Sequence, residues 1–427
     1  MSNLHVKYLL IGAGAASSAA AEAIRARDKE GAVLMIGQEI NRPYGRSALG
    51  RQFLRHESSR GDLFTHTPQW FAEQNIQLQT GRRAVQLDTM RFSVTLDSGQ
   101  DISYDQLLLA TGATARQLDV PGAALPNTFY VRTVEDAERL QLAVEKAKRE
   151  GRPQPADQTR RGCATVIGSG LLAIELAASL AQLGLSVDLV VAEAHPWESI
   201  AGEATGRFLA RFLERHGVRV HLGHRAQRLE GDGRVQRAVL DSGDIIPCDF
   251  AVAAIGKQPN KDLLRGTPIS AEKAVLVDEQ CRTNVPNVCA AGDCAAMFDP
   301  LFGKHRLARH WDTAASTGAL AGANMAGAGE RYSAVSDFTT EIFGLPIFGW
   351  GLAKIVDRRL LRGTPNVEAP DFVEIGVAAD GRIAEVLAVG HRSQHDLLRQ
   401  LVQRRVQVDG NEEGLKDPKS DLGRFLL

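Results

Sequence analysis

The sequence predicts an α/β protein that contains two similar three-layer units and a smaller C-terminal α+β domain. A short apolar run ends at Gly12-Ala-Gly14 and passes directly into an Ala-rich, helix-forming stretch. The same pattern returns at Gly168-Ser-Gly170. Each pattern is followed by a second apolar run, Ala32–Gly37 in the first and Val187–Val191 in the second. A strand, a tight turn, a helix and a second strand are typical of parallel sheets with helices packed on their faces.

Composition narrows the class of protein. A chain of 427 residues suggests two or three domains, and 44% apolar with 24% charged residues is ordinary for a globular protein. The net charge of −1 gives no argument for nucleic acid or an anionic membrane as a partner. No apolar run approaches the roughly 20 residues that span a bilayer. We therefore expect a cytoplasmic monomer or homodimer without a transmembrane segment.

The five cysteines include no Cys-x-x-Cys pair, so neither a thioredoxin-type couple nor a zinc ribbon is expected. We expect no metal site and reduced, mostly buried thiols. Cys294, in Ala-Gly-Asp-Cys, is the one candidate for redox chemistry.

The first glycine turn has the features of a phosphate-binding site. Gly12 permits the turn, Gly14 allows a pyrophosphate to approach the backbone, and the helix N-terminus attracts its negative charge. Ser17 stands where the fingerprint prefers Gly or Ala. Glu39 follows the second strand, where it either accepts hydrogen bonds from an adenosine ribose or is a surface acid.

Two later stretches also lie at predicted strand ends. The loop from Arg42 to Arg51 mixes Pro, Gly and Arg; Arg46 and Arg51 either meet a pyrophosphate or an electron-rich ring, or belong to an exposed loop. Residues 83–96 alternate as in an antiparallel meander, and the next apolar run ends in Ala110-Thr111-Gly112. Those small residues suggest a close approach of the backbone to a ligand.

The second unit predicts a second nucleotide. Glu193 follows its second strand, with no Arg or Lys directly after it to receive a 2′-phosphate. A carboxylate there favours NADH over NADPH, and His195 is the nearby group that softens this preference.

The remaining chain predicts further elements. A strand at 250–260 ends in Gly and Pro, and Asn287–Cys294 resembles a strand, a turn and a helix entrance. There Asp293 either caps the helix or binds a polyol hydroxyl. The C-terminal domain should have strands near 372–377 and 383–389 and a helix at 392–405. Gly344–Trp350 is an apolar loop that either packs under the first nucleotide-binding domain or forms a partner surface.

Together these motifs resemble the two-dinucleotide-binding-domain flavoproteins, in the branch of the ferredoxin and rubredoxin reductases and the apoptosis-inducing factors. The matching stretches are Gly12-Ala-Gly14, Arg42–Arg46, Ala110–Gly112, Arg132–Ala137, Gly168-Ser-Gly170, Ile255–Asn260 and Gly292-Asp293. The resemblance implies two Rossmann-like domains, with the NADH-binding domain (119–285) inserted in the FAD-binding domain (1–118 and 286–335). The C-terminal domain then covers 336–427.

The resemblance also implies roles for individual residues. Those expected around FAD are Gly12, Gly14, Ala16, Ser17, Glu39, Arg46, Arg51, Val85 at the adenine, Ala110, Thr111, Gly112, Asp293 at the ribitol, His310 and Trp311. Arg132 is expected to bind a cofactor, with neither FAD nor NADH assigned to it. Those expected around NADH are Gly168, Gly170, Leu172, Glu175, Glu193 and Gly256. The residues expected closest to the chemistry are Arg51, Glu175 and Trp311, with Glu175 near the nicotinamide carboxamide.

Some positions depart from that family's pattern. Arg51 replaces the usual lysine, and Arg309 replaces an acid. Both positions are expected at the edge of the flavin ring, so both changes bear on the rate and the reduction potential of the flavin. The chain lacks the cysteines with which related families reduce disulfides, so disulfide reduction is not expected.

The resemblance implies an FAD-dependent NADH oxidoreductase that passes hydride from NADH to the flavin and electrons onward to a ferredoxin, a rubredoxin or a quinone. An alternative is a slow NADH oxidase like the apoptosis-inducing factors, which forms a stable reduced flavin–NAD complex and changes its oligomeric state. A third possibility, a subunit of a larger reductase, has no iron–sulfur cysteine set to support it.

Overall fold

A computed structural model describes residues 4–150, 153–154, 157–307, 310–390 and 394–426. Contacts between α-carbons divide the chain into two compact units. The first unit falls within 1–46, 60–114 and 257–334, and the second within 47–59, 115–256 and 335–427.

The helices and strands are numbered in chain order. The helices are α1 (Ala15–Arg27), α2 (Pro68–Glu73), α3 (Val134–Glu150), α4 (Leu171–Gln182), α5 (Glu203–Arg215), α6 (Trp311–Met325), α7 (His395–Gln403) and α8 (Glu412–Lys416). The strands up to residue 115 are β1 (Leu4–Ile11), β2 (Val33–Gly37), β3 (Ile76–Thr80), β4 (Ala84–Asp88), β5 (Ser93–Leu96), β6 (Asp101–Leu109) and β7 (Ala113–Ala115). The strands of 116–256 are β8 (Thr128–Phe129), β9 (Pro153–Gln154), β10 (Asp157–Arg161), β11 (Cys163–Ile167), β12 (Ser186–Val191), β13 (Val218–Leu222), β14 (Ala226–Glu230), β15 (Arg237–Leu240), β16 (Ile245–Pro247) and β17 (Phe250–Ala253). The remaining strands are β18 (Lys257–Pro259), β19 (Val275–Val277), β20 (Val288–Ala290), β21 (Ala295–Asp299), β22 (Lys304–Leu307), β23 (Asp337–Ile342), β24 (Leu345–Gly351), β25 (Val356–Thr364), β26 (Asp371–Ala378) and β27 (Ile383–Val389).

The first unit is built on a sheet whose order is β3-β2-β1-β6-β5-β4, with β20 also paired to β6. Strands β3, β2, β1, β6 and β20 are parallel, and β4 and β5 form the predicted antiparallel meander with β6. The parallel strands carry continuous buried runs, as expected for strands covered on both faces.

Helices α1 and α6 of this unit pack with their backbones almost in contact. A Cβ added to Gly318 would lie 2.2 Å from the Ala16 carbonyl oxygen, and one added to Gly322 would lie 2.3 Å from that of Ala20. Two pairs of small residues, each spaced four apart, therefore set the distance between the helices.

The second unit contains a five-stranded parallel sheet of order β13-β12-β11-β17-β8. It also contains the antiparallel three-stranded sheet β14-β15-β16 and the C-terminal antiparallel sheet β23-β24-β27-β26-β25. Two parallel sheets with helices and a C-terminal mixed region confirm the predicted fold class. Among the residues that the structure describes, no helix combines the length and the apolar character needed to span a bilayer.

Two local predictions were wrong. Asn287–Cys294 does not lead into a helix, because the short 3-10 turn Gly292–Cys294 passes directly into strand β21, which pairs with β19 and β22. Asp293 is therefore not a helix cap. Gly344–Trp350 is not a loop: most of it is β24, which pairs with β23 and β27 and is apolar because it lies inside a sheet.

The division into units differs from the predicted domain bounds in three main respects. Residues 47–59 fall in the second unit, and residues 335–427 share that unit with 115–256. Residues 257–285 fall in the first unit, where β19 pairs with β21. The same stretch carries β18, which pairs with β7 of the first unit far earlier in the chain, so no local pattern reports its place. The three-domain division stays a prediction. The predicted C-terminal helix corresponds to α7, and residues 391–393 lie outside the described residues.

The C-terminal sheet buries two carboxylates against one guanidinium. Arg359 donates from Nη1 to Glu374 at 2.6 Å and to Glu385 at 2.8 Å. Glu374 also accepts hydrogen bonds from the Gly202 N–H and the Thr205 hydroxyl at the start of α5. Burial raises the pKa of Glu385 to about 8, and Arg359 opposes that effect only in part.

We predict that Gly318→Ala destabilises the protein by about 1–3 kcal/mol. Alanine normally stabilises a helix relative to glycine, but here its methyl group meets backbone atoms of α1 that cannot rotate away. Chemical denaturation measures the free energy of unfolding. In the control Ala319→Gly, on the half-buried face of α6, the loss should be about 1 kcal/mol. An increase in stability for Gly318→Ala would contradict the packing described above.

We also predict a pH-dependent effect of Glu385→Gln. Because the folded-state pKa of Glu385 is raised, its contribution to stability is complete below about pH 4.5 and is lost as the pH rises through about 8. The melting temperature of the variant relative to wild type should therefore increase across that range. Glu341→Gln, at an exposed position on β23, is the control and should show no such trend. A difference between variant and wild type that is constant with pH would disprove the prediction.

Candidate active site

The two glycine turns share one geometry. Gly12 has φ +117°, and a Cβ added to it would lie 2.0 Å from the carbonyl oxygen of Ala110 at the end of the neighbouring strand. Gly168 has φ +142°, and its Cβ would lie 2.4 Å from the carbonyl oxygen of Ala254. Both positions therefore require glycine for two reasons, the backbone angle and the close approach.

The second glycine of each turn faces open space. A Cβ added to Gly14 or to Gly170 meets no atom within 4 Å, and each glycine caps its helix without a side-chain hydrogen bond. Backbone N–H groups at these helix starts can therefore donate to a phosphate. Ser17 Oγ is buried without a hydrogen-bond partner among the described residues. These features fit a pyrophosphate at each turn.

Three further segments of the first unit converge on its glycine turn. Gly292 packs against Ala16 of α1 and Ala314 of α6. The Ala110–Gly112 turn is held by Asn260, which donates from Nδ2 to the Thr111 carbonyl at 2.8 Å. The starts of α1 and α6 and the turn that carries Asp293 therefore meet at one edge of the sheet, where parallel-sheet proteins bind ligands.

The two acids predicted in this unit each have a cationic partner. Lys257 Nζ donates to Asp293 at 2.5 Å. Glu39 accepts hydrogen bonds from Arg46 and from the Tyr44 hydroxyl, and Arg46 also donates to that hydroxyl at 2.9 Å. Arg46 therefore orients the predicted ribose-binding carboxylate.

The other predicted FAD residues are spread around the unit. Val85 is half exposed, as an adenine contact at the surface would be. Trp311 is the first residue of α6, and the His310 imidazole before it lies 3.3 Å from Asp312. Arg309 lies outside the described residues. Cys294 is fully buried, and burial raises the pKa of its thiol, which argues against a redox role.

The second unit brings Arg51 and Glu175 together. Arg51 Nε lies 3.7 Å from Glu175 Oε1 and donates to the Ser47 carbonyl at 3.0 Å. Both side chains are largely buried. The Thr340 hydroxyl donates to the same Glu175 oxygen at 2.5 Å.

The 47–59 segment, which carries Arg51, packs along α4. Gly50 lies against Leu172, so that an added Cβ would come within 2.9 Å of Leu172 Cδ1. Ser179 donates to the Gly50 carbonyl at 2.8 Å and accepts from Arg55 at 3.0 Å. These contacts fix the position of Arg51 relative to Glu175.

The remaining NADH residues have different environments. Glu193 is exposed, whereas His195 is buried, with its Nδ1 2.9 Å from the Pro196 carbonyl oxygen. His195 is therefore not available to a 2′-phosphate. Gly256 has φ +105° and open space around it.

The Arg132 motif caps a helix. The backbone N–H groups of Arg132 and Thr133 donate to Asp136, whose own N–H donates to the Thr133 hydroxyl. This arrangement satisfies donors at the start of α3.

Sequence reasoning missed Lys257, Tyr44 and Thr340. Lys257 directly follows Gly256, so its charge next to a conformationally special glycine was a usable signal. The sequence carries no signal for Thr340, because its contact with Glu175 depends on how β23 packs on α4. The described residues contain no group of three or more His, Cys, Asp or Glu that could hold a metal.

Comparison with known proteins identifies the family of this chain. Residues 6–318 match the pyridine nucleotide-disulphide oxidoreductase family model. The chain is 30% identical over 427 residues to the ferredoxin–NAD(+) reductase component of an anthranilate 1,2-dioxygenase system from Burkholderia cepacia, covering 98% of this chain and 99% of that one. A crystal structure of the ferredoxin reductase for the CYP199A2 system of Rhodopseudomonas palustris has a TM-score of 0.89 at 26% identity and covers 99% of this chain and 100% of that one. The fold also matches that of a covalent putidaredoxin reductase–putidaredoxin complex (TM-score 0.90, 24% identity, 99% of both chains). The chain belongs to the pyridine nucleotide-disulphide oxidoreductase family, as an enzyme that uses FAD and NAD(H).

Proposed function

We propose that this enzyme oxidises NADH and passes the electrons through FAD to a small electron-transfer protein, a ferredoxin or a rubredoxin. The observation that carries the proposal is the pair of matching glycine turns, each open at its second glycine, together with the Arg51–Glu175 pair beside the second turn. The reductase names of the similar proteins support the choice of acceptor. They do not favour the apoptosis-inducing-factor alternative.

The residues have separable tasks in this proposal. Gly12, Gly14 and the start of α1 hold the FAD pyrophosphate, Glu39 the ribose and Asp293 the ribitol; bound FAD supplies two-electron uptake and one-electron release. Gly168 and Gly170 hold the NADH pyrophosphate. Glu175 accepts a hydrogen bond from the nicotinamide carboxamide and so orients the ring, while Arg51 neutralises the buried carboxylate. Hydride transfer from NADH to the flavin requires alignment of the two rings and exclusion of water, and it needs no general acid or base.

NADH is the proposed donor, rather than NADPH. Glu193 is exposed at the end of β12, where it can accept two ribose hydroxyls and repel a 2′-phosphate. Burial of His195 removes the one histidine expected to offset that repulsion.

We also propose a cytoplasmic location. All five cysteines are free thiols, as is usual in a reducing compartment.

The proposed function predicts that the purified protein binds flavin and that NADH bleaches it without oxygen. Stopped-flow absorbance measures this step. Turnover is then assayed with a [2Fe–2S] ferredoxin, a rubredoxin and a quinone, and the iron–sulfur or iron protein should be the fastest acceptor. A protein with no flavin absorbance, or with flavin that NADH does not reduce, would disprove the proposal. Faster turnover with the quinone would overturn the choice of acceptor alone.

We further predict that kcat/KM for NADH exceeds that for NADPH by at least about tenfold, because the Glu193 carboxylate repels the 2′-phosphate. Glu193→Ser should lower the ratio of kcat/KM for NADH to kcat/KM for NADPH, mainly by lowering KM for NADPH. Glu198→Ser, at another exposed acid of the same loop, is the control and should leave the ratio unchanged. A tenfold preference for NADPH in the wild-type enzyme would rule out the proposed role of Glu193.

A further inference from the structure

Strand β23 of the C-terminal sheet places a buried hydroxyl on a predicted active-site carboxylate. Thr340 is 1% exposed, and its Oγ1 donates to Glu175 Oε1 at 2.5 Å. Glu175 is the one acidic residue in α4, and it lies in the second turn after Gly170. The hydrogen bond from Thr340 is a contact of Glu175 that is separate from its ion pair with Arg51.

Thr340 and Arg51, two of the residues that contact Glu175, differ in what they fix. Arg51 Nε is 3.7 Å away, beyond hydrogen-bond distance, and it makes its short contact with the Ser47 carbonyl instead. Arg51 therefore supplies charge with little directional constraint. The Thr340 bond is short and directional, so it restricts how the carboxylate can rotate.

The strand that carries Thr340 is held firmly in place. Thr340 pairs with Ile347 of β24, which is fully buried. Beside it, the Phe338 ring occupies space that exists because residue 349 is glycine: a Cβ there would lie 2.2 Å from Phe338 Cε1. Thr340 can therefore act as a rigid support for Glu175.

The same strand also reaches the second glycine turn. Phe338 packs edge-on against Trp197, with ring centroids 6.0 Å apart. The backbone N–H of Trp197 donates to the carbonyl of Ser169, between Gly168 and Gly170, at 2.9 Å. Strand β23 thus supports both the turn that would hold the pyrophosphate and the carboxylate that would meet the nicotinamide.

We infer that Thr340 is a positioning residue for hydride transfer: its hydroxyl orients the Glu175 carboxylate so that the nicotinamide ring is aligned. This inference deepens the proposed function and rests on it. The C-terminal sheet is then part of the NADH site and not only a surface for the electron acceptor.

The test uses the full-length, flavin-loaded protein and two matched pairs of variants. Thr340→Val keeps the shape of threonine without the hydroxyl. Thr340→Ser and Thr340→Ala both lack the methyl group and differ only in the hydroxyl. Thr339→Val, at the exposed neighbouring position, is the control for substitution in β23. Anaerobic stopped-flow measurements at several NADH concentrations separate the limiting rate of flavin reduction from the apparent Kd.

Misalignment of reacting groups can lower a rate by about a hundredfold, so Thr340→Val should lower the limiting rate roughly tenfold to a hundredfold. Thr340→Ser should retain a rate near that of wild type, Thr340→Ala should lose rate as Thr340→Val does, and Thr339→Val should be unchanged. In a Glu175→Gln background, Thr340→Val should have a much smaller further effect, since the two residues act on one group.

Three outcomes would overturn the inference. These are wild-type rates for Thr340→Val and Thr340→Ala, equal losses for Thr340→Ser and Thr340→Ala, or full additivity of Thr340→Val with Glu175→Gln. If Thr340→Val does not fold, the Ser and Ala pair decides alone. Failure of the proposed function itself is distinct, because the wild-type flavin would then not be reduced by NADH.

Discussion

The close approach of two backbone segments at each glycine turn is the constraint on which the rest of the site depends. The carbonyl oxygens of Ala110 and Ala254 lie where a side chain at Gly12 or Gly168 would begin. That contact brings the start of each helix over the end of the adjacent strand, so its N–H groups face the same edge of the sheet. The tight packing of α1 on α6 at Gly318 and Gly322 then holds the first helix close against α6. Backbone contacts, more than side chains, therefore define where the phosphates bind.

Side chains add charge in balanced pairs. Glu39 with Arg46, Asp293 with Lys257, and Glu175 with Arg51 each join a predicted ligand-binding acid to a cation within the same unit. A cationic neighbour favours the charged form of a partly buried carboxylate, restricts its orientation and offsets part of the cost of its desolvation. The pairs at Glu39 and Asp293 are short, whereas Arg51 stands farther from Glu175, and there a neutral hydroxyl supplies the direction.

Local patterns predicted the glycine turns, the parallel strands and the acids at strand ends, because those features depend on residues close together in the chain. The same reasoning failed at Asp293, where a Gly-Asp turn followed by alanines looked like a helix start but leads into β21. It also failed at Gly344–Trp350. An apolar stretch with glycines does not show by itself that it is a strand, because its partners β23 and β27 are set by the packing of the sheet. The meeting of Glu175 with Arg51 and Thr340 could not be predicted in this way, because it arises from three distant segments packed in one unit.

The 47–59 excursion limits how this protein can be recombined. The chain leaves the first unit after Arg46, contributes thirteen residues to the second unit and returns at Arg60. A chimera that exchanged only the contiguous stretch 115–256 would leave Gly50, Arg51 and Arg55 facing a foreign α4. Functional transplantation, by an engineer or by gene recombination, must therefore carry 47–59 and 115–256 together with 335–427, whose strand β23 contacts the same helix. The short piece has to co-evolve with a helix encoded far downstream.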